Sequence, residues 1–293
     1  MPDELVRPNE LMRKVWTNVS GPAWVDHHDL FERIYAPFND AAVAALGPVT
    51  GLTVLDVGCG TGSLCEALVG RGGAAVGVDI SETMIAAARE LVPAARFEVA
   101  DAQVDRLADF APGGFDAVTS RFGVMFFDDP VAAFKNIRAA TKPNAPMSFV
   151  CWRTIAENPT FTNGSRVLVA RMPEPPPSPG PSAPGPARFE DPATVTAILT
   201  DAGWSGVVIE PFEAMCVYGR GGSDGVEDRL TMLLAGQSGR AAAEQLRPML
   251  SEDDWNRLLD EVRADIRTEM VDGVVKFPGR TWLVTAVNVS NPA

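Results

Sequence analysis

Positive charge is in short supply in this sequence. Its 293 residues hold 25 lysines and arginines against 38 aspartates and glutamates, which gives a formal net charge of −13 at pH 7. A protein that binds the phosphate backbone of a nucleic acid needs clustered Lys and Arg. The composition therefore argues against a nucleic-acid partner, while an acidic chain is still suited to a cationic ligand.

Cysteine is scarce, and long apolar runs are missing. The four cysteines form no CxxC pair and lie in apolar segments, so we expect reduced, mostly buried thiols and a cytoplasmic protein. No apolar run approaches the ~20 residues that span a bilayer. The first residues, "MPDELVRPNE", lack the basic start and apolar core of a secretory signal. Neither a membrane partner nor a leader is predicted.

Histidine is limited to the adjacent pair His27 and His28. Neighbouring acids such as Asp253 and Asp254 lie on the surface of a predicted helix, so no metal site is predicted. If the chemistry requires a histidine base, the base must be one of the pair. Adjacent residues of a helix face different ways, so at most one of the two points inward. The alternative is a polar helix surface.

Between residues 52 and 152, strand-like and helix-like segments alternate. The predicted strands are 52–57, 74–78, 95–100, 115–120 and 146–152, and helical periodicity fills the intervals between most of them. Such alternation predicts an α/β fold, a doubly wound and mostly parallel sheet with helices on both faces.

The rest of the chain is predicted to surround that core. Residues 1–50 form an aromatic-rich N-terminal helical cap, 51–152 the core, 153–188 a proline-rich lid insertion, 189–220 more of the core, 221–272 a helical insertion and 273–293 a final core strand, read as a buried edge. Leu230, Met232, Leu233 and Leu234 give the helical insertion an apolar surface. The two insertions are predicted to roof the site of a largely apolar substrate.

The stretch "VLDVGCGTG" packs three glycines into five residues after an apolar strand. Glycine is used where φ is positive or where a ligand needs close approach, and a strand, a Gly-rich turn and a helix make a nucleotide-binding unit. NAD enzymes use Gly-x-Gly-x-x-Gly around a pyrophosphate, whereas the spacing here is Gly58-x-Gly60-x-Gly62. Asp56 precedes the loop, and its carboxylate would repel a pyrophosphate but would suit the ammonium of a methionine moiety. Charge therefore favours S-adenosylmethionine.

Two further acids follow successive strands. Asp79 closes the second strand, where a carboxylate can accept hydrogen bonds from both hydroxyls of a ribose. Asp101 closes the third, placed to accept from an adenine amino group while a neighbouring backbone N–H serves a ring nitrogen. The carboxyl ends of parallel strands meet at one ligand-binding crevice, so we expect the three acids to converge there.

The motifs "VLDVGCGTG", "VGVDIS", "ADAQ" and "SRFGVMFFDDPVAAFKNIRAATKPNAPMSFVCW" resemble those of class I S-adenosylmethionine-dependent methyltransferases of the bacterial small-molecule type. The resemblance is strong over 52–152 and recurs in "DPATVTAILTDAGW" and "TWLVTAVNV". It implies an antiparallel strand near the end of the sheet. It also implies a cofactor site composed of Asp56, Gly58, Cys59, Gly60, Asp79, Ile80, Met84, Asp101, Ala102 and Arg121.

The resemblance implies a role for each group of these residues. The glycine loop lines the methionine moiety, and Asp79 holds the ribose. Ile80 and Met84 flank the adenine, while Asp101 and Ala102 read its edge. Arg121 faces the methionine end. The alternatives are a turn acid at Asp101, a core side chain at Met84 and a solvated strand end at Arg121.

The predicted function is transfer of the methyl group of S-adenosylmethionine to a small, largely apolar molecule, with S-adenosylhomocysteine as product and no dedicated catalytic residue assigned. The protein is expected to be a monomer or a homodimer. Two alternatives stay open: a protein of this fold that binds the cofactor without methyl transfer, and an NAD-type oxidoreductase.

Overall fold

A computed structural model describes residues 7–174, 180 and 182–289, and one mixed sheet organises them. The strands are β1 Thr53–Val57, β2 Ala74–Asp79, β3 Arg96–Val99, β4 Ala117–Arg121, β5 Pro146–Trp152, β6 Ser205–Val217, β7 Met270–Val271 and β8 Val274–Val287. Their spatial order is β3-β2-β1-β4-β5-β8-β6, and β7 pairs only with β8. The first five strands run parallel, and β8 is antiparallel to both β5 and β6.

Helices cover both faces of the sheet. They are α1 Glu10–Lys14, α2 Ser20–Asp26, α3 His28–Ala45, α4 Ser63–Gly70, α5 Glu82–Leu91, α6 Pro130–Ala139, α7 Pro159–Thr162, α8 Ser165–Val169, α9 Pro192–Asp201, α10 Val226–Ala235, α11 Gln237–Leu246 and α12 Glu252–Ile266. Side chains of Ser81, Asp129 and Asp191 cap α5, α6 and α9 by accepting from backbone N–H groups of the first turn. The doubly wound α/β fold and its late antiparallel strand are confirmed.

The position of the last strand differs from the prediction. The segment read as a buried edge is part of β8, which lies between β5 and β6, and β6 is the outer strand. Val284 and Ala286 of β8 are buried, whereas Val208 and Met215 of β6 are each 49% exposed. The prediction was wrong because the apolar composition of a strand shows that its faces are covered by other elements. It does not show whether a neighbouring strand pairs on one side or on both.

The N-terminal helices lie over the carboxyl ends of the parallel strands. A π-helix, Val15–Val19, joins α1 to α2, and α3 buries Phe31, Ile34, Tyr35 and Phe38. Hydrogen bonds from Ser81 Oγ and Thr83 Oγ1 to the carbonyls of Trp16 and Thr17 attach this cap to the start of α5. Helices therefore form within the segment assigned to the cap.

A buried guanidinium joins the two insertions. Arg229 of α10 is 2% exposed and donates to the carbonyls of Thr160 and Asn163 at 3.0 and 2.6 Å. Leu230, Met232 and Leu233 are also buried, and Leu233 lies against Gly164.

The domain bounds remain a prediction, and residues 175–179 and 181 of the proline-rich segment lie outside the described residues. At the end of that segment, the N–H of Gly185 donates to the carbonyl of Met125 at 3.0 Å. None of the helices in the described ranges is long and apolar enough to cross a bilayer.

Candidate functional site

The glycine loop between β1 and α4 needs glycine for two different reasons. Gly58 and Gly60 have φ of 67° and 55°, in the left-handed region. A Cβ at Gly58 would lie 2.7 Å from the Cα of Gly123 in the loop after β4, whereas a Cβ at Gly60 would meet only the Met84 methyl, at 3.7 Å. Gly58 is therefore required by the contact between two backbone loops, whatever binds beside it.

Asp79 holds the glycine loop to the end of β2. Its Oδ2 accepts from the N–H of Gly60 and its Oδ1 from the N–H of Ser81, both at 2.9 Å. Desolvation by burial raises the pKa of this carboxyl, and the backbone donors oppose that shift. An ionised carboxylate has about four acceptor positions, so Asp79 keeps acceptor capacity for hydroxyl donors.

Asp101 lies just beyond β3, and its two oxygens have different surroundings among the described residues. The residue is 2% exposed. Its Oδ1 accepts from the side-chain amide of Asn9 at 2.8 Å and from the N–H of Gln103 at 3.0 Å. Among the described residues, Oδ2 has no hydrogen-bond partner. Arg13 Nη2 lies 3.9 Å from this same Oδ2, at the outer limit of an ion pair. Desolvation by burial raises the pKa of Asp101.

Asp56 is the most buried of the three acids, at 1% exposure. Its Oδ2 accepts from the thiol of Cys65 at 3.3 Å, and its Oδ1 finds no partner in the part of the chain that the structure describes. Desolvation by burial raises the pKa of Asp56 to about 7. A buried carboxyl with an unused oxygen fits a ligand that brings N–H donors or positive charge.

Arg121, the last residue of β4, is neutralised within the site. Its guanidinium forms a two-pronged ion pair with Glu32 of α3, with N···O distances of 2.7 and 3.0 Å, and lies 5.9 Å from the centre of the Tyr35 ring. Despite the desolvation that burial imposes, Arg121 lowers the pKa of Glu32. The pair presents a cation and an anion side by side, so the idea of a solvated strand end does not hold.

The two adjacent histidines have different surroundings. His28 Nδ1 lies 2.9 Å from Thr61 Oγ1, in the glycine loop. His27 is the residue between α2 and α3, and no side-chain hydrogen bond of His27 is found among the described residues. The structure therefore brings one member of the pair to the site.

The remaining predicted residues lie around the same loops. Met84 is buried beside Gly60, and the carbonyl of Ile80 accepts from Arg13 at 3.4 Å. Cys59 and Ala102 are buried. Met84 thus belongs both to the core and to the border of the glycine loop. Within the described ranges, no three His, Cys, Asp or Glu side chains are grouped as metal ligands.

An aromatic cluster adjoins the Arg121–Glu32 pair. Its members are Trp24, Phe31, Tyr35, Phe122, Trp152 and Phe161. Trp24 stacks on Phe31 at 4.2 Å between ring centres, and Phe122 stacks on Trp152 at 4.3 Å. The cap, the loop after β4, β5 and the first insertion contribute these side chains, so the cluster exists only in the folded chain.

Sequence reasoning missed four residues of this arrangement: Asn9, Arg13, Glu32 and Thr61. Three of them belong to the N-terminal cap, whose sequence signals only helix and aromatic packing. Thr61 stands inside the glycine motif and could have been noticed there.

Similarity to known proteins agrees with this geometry. A family described as a methyltransferase domain matches residues 55–149. The ubiquinone biosynthesis O-methyltransferase of Pseudomonas paraeruginosa is 34% identical over 140 residues, which cover 46% of this chain and 59% of that protein. The chain thus spans little more than half the length of this relative.

Solved structures share the fold at low sequence identity. Phosphoethanolamine N-methyltransferase 2 of Haemonchus contortus, in complex with S-adenosylmethionine, is 19% identical with a TM-score of 0.50, over 89% of this chain and 56% of that one. The [4+2]-cyclase SpnF is 15% identical with a TM-score of 0.52, over 94% of this chain and 98% of that one. In motif, fold and family match, residues 55–149 of this chain are similar to the domain of class I S-adenosylmethionine-dependent methyltransferases.

Proposed function

We propose that the protein transfers the methyl group of S-adenosylmethionine to a hydroxyl of a small, largely apolar molecule. The observation that carries this proposal is that three surfaces lie at the carboxyl ends of the parallel strands. They are the glycine loop, the three acids and the aromatic cluster. A cationic cofactor suits the acids, and an apolar acceptor suits the aromatic rings.

Each predicted cofactor residue keeps its assigned role in this proposal. Gly58, Cys59 and Gly60 border the methionine moiety. Arg121 and Glu32 offer partners of opposite sign to its carboxylate and ammonium, as their side-by-side ion pair supports.

The adenosine side is assigned in the same way. Asp79 accepts from the ribose hydroxyls, and Asp101 with Ala102 meets the edge of the adenine. Ile80 and Met84 lie against its faces. Oδ2 of Asp101, which accepts no hydrogen bond from the described residues, supports this placement, because the amino group of adenine is an N–H donor.

The chemistry of the cofactor leaves little bond-making to the protein. Its sulfonium supplies an activated methyl group for in-line displacement. The chain contributes orientation and exclusion of water, and well-oriented reactants can gain about 7–11 kcal/mol. The stacked rings of Trp24, Phe31, Phe122 and Trp152 supply a dry, rigid wall for an apolar acceptor.

His28 is proposed to take the proton that a hydroxyl acceptor loses. When Nδ1–H donates to Thr61 Oγ1, the tautomer is fixed, and Nε2, which has no hydrogen-bond partner among the described residues, can accept a proton. The acceptor atom is assigned as oxygen because such a base is present and because the relatives that match the chain are named as O-methyltransferases.

Turnover tests this proposal directly. The protein is incubated with S-adenosylmethionine and fractions of a bacterial metabolite extract. We expect S-adenosylhomocysteine to appear together with a metabolite that has gained one methyl group, both followed by mass spectrometry. An Asp79→Ala variant, which should bind the cofactor poorly, is the matched control and should give neither product.

A second candidate is a reaction that uses the bound cofactor without consuming it. The likeness to a [4+2]-cyclase favours keeping this candidate, because it shows that the fold alone does not guarantee methyl transfer. Tight cofactor binding without any S-adenosylhomocysteine in every fraction would select it. A thermal shift with NAD and none with S-adenosylmethionine would instead select the oxidoreductase alternative.

Cofactor binding should release a proton through Asp56. With its pKa near 7, this carboxyl is about nine-tenths protonated at pH 6, and a cationic ligand favours the ionised form. We expect about 0.9 proton to be released per S-adenosylmethionine bound at pH 6 and about 0.1 at pH 8, so that affinity rises about tenfold across this range. Calorimetry in buffers of different ionisation enthalpy measures the released proton.

The Asp56→Asn variant is the control for this measurement. Because the amino group of the cofactor also titrates, only the difference between the parent and Asp56→Asn belongs to Asp56. Identical proton release in both proteins would contradict the assignment. In the free protein, the stability that protonated Asp56 contributes is present at low pH and lost as pH rises through 7, since the unfolded carboxyl titrates near 3.8.

A further inference from the structure

The segment from Asn9 to Trp16 reaches three loops of the proposed cofactor site. Asn9 contacts the loops after β3 and β4, Arg13 contacts Ile80 after β2, and Trp16 accepts from Ser81. The family match begins only at residue 55. These contacts therefore come from a part of the chain outside the matched domain.

Asn9 is held in one orientation by Asp128. Its backbone N–H donates to Asp128 Oδ2 at 2.5 Å, and its Oδ1 accepts from the backbone N–H of Asp128 at 2.7 Å. A backbone N–H can only donate, so the amide oxygen must face Asp128 and the amide NH₂ must face the other way. That NH₂ group donates to Asp101 Oδ1 at 2.8 Å.

Because of this arrangement, the two oxygens of the Asp101 carboxylate have different surroundings. Oδ1 is occupied by Asn9 and Gln103, while Oδ2 is buried, has no hydrogen-bond partner among the described residues and lies 3.9 Å from the Arg13 guanidinium. Asn9 itself is 2% exposed and has φ of 57°, a backbone conformation that asparagine tolerates better than most residues. The side chain is thus fixed at both ends.

We propose that Asn9 is a positioning residue for the adenine of the cofactor. By occupying Oδ1 of Asp101, it prevents the carboxylate from rotating and reserves Oδ2 for the 6-amino group. This role rests on the proposed function, because it assumes that Asp101 meets the adenine edge. Asn9 touches Asp101 and not the reacting atoms, so its effect appears in recognition of the base.

The test compares two ligands that differ only at the 6-position of the base: S-adenosylhomocysteine and its analogue with hydrogen in place of the amino group. Their dissociation constants are measured by calorimetry. The parent should prefer the amino form by about tenfold or more, because a hydrogen bond to a charged partner is lost with the analogue. In Asn9→Gly this preference should fall at least fivefold, with the affinity for the 6-hydrogen analogue within about twofold of the parent.

Glycine is the chosen substitution because it accepts the left-handed backbone at this position. Asn9→Asp is the second variant, measured at a pH where the new carboxyl is ionised, since aspartate also tolerates that conformation and an ionised carboxylate has no hydrogen to donate to Asp101. It should lose the preference at least as fully. Asn18→Ala changes an exposed residue of the same segment and should behave as the parent.

The outcomes separate the possible roles. Equal weakening of both ligands in Asn9→Gly and Asn9→Asp would mean that Asn9 only supports the fold, and tighter binding of both would mean that it blocks the site. Either result overturns the proposal. A parent that binds S-adenosylhomocysteine but does not distinguish the two ligands overturns it as well. A parent that binds neither ligand would contradict the proposed function instead.

Discussion

Replacing Asp79 by alanine should weaken S-adenosylmethionine binding at least tenfold. Two hydrogen bonds from ribose hydroxyls to a carboxylate contribute roughly 1.5–3 kcal/mol each, so the loss can reach about a hundredfold or more. The same substitution removes the acceptor for the N–H of Gly60, at 2.9 Å, which holds the glycine loop in place. Both effects weaken binding, and calorimetry measures their sum.

Asp116 provides the matched control for this measurement. It also accepts from a backbone N–H at 2.9 Å, that of Thr53, and from Lys142 at 2.6 Å. It precedes β4 and therefore lies at the amino ends of the parallel strands, away from the crevice. Asp116→Ala should alter stability but leave cofactor affinity within about twofold. Equal affinity of Asp79→Ala and the parent would remove the ribose assignment.

The second large effect is expected at His28. His28→Ala should lower kcat by about a hundredfold or more, the usual range for a general base, while cofactor affinity stays within about twofold. The physical reason is that an apolar pocket without a base offers no acceptor for the hydroxyl proton. Steady-state methylation kinetics and cofactor calorimetry together measure this separation of chemistry from binding.

His27→Ala is the control, because it removes a neighbouring imidazole with no side-chain hydrogen bond among the described residues. It should leave kcat within about threefold of the parent. Thr61→Val should lie between the two, since the ring of His28 loses its partner at 2.9 Å but not its nitrogen. Normal turnover in His28→Ala would show that positioning alone drives the transfer, or that the acceptor loses its proton to water.

The core of the fold was predictable because its signals are local. Apolar runs of strand length, the helix caps at Ser81 and Asp129, and the Gly-x-Gly-x-Gly turn are all readable within short windows. The positions of Asp56, Asp79 and Asp101 at or just beyond the ends of β1, β2 and β3 follow from the same local signals.

The reason for Gly58 could not be read in the same way. Glycine in a nucleotide-binding turn suggests approach of a ligand. At this position, however, the nearest obstacle to a side chain is the Cα of Gly123, from a loop more than sixty residues away in the chain. The sequence indicates that this turn needs glycine. The contact with Gly123, which leaves no room for a side chain at residue 58, is visible only in the structure.

The sequence by itself determined a parallel α/β core and predicted a glycine loop that suits a cationic cofactor, with acids at three successive strand ends. Only the tertiary structure decided which histidine reaches the loop, that β8 lies inside the sheet, and that Asn9 fixes Asp101. The physical reason is sequence distance. Periodicity and turn chemistry act within about ten residues, whereas these contacts join segments whose approach depends on the packing of the whole chain.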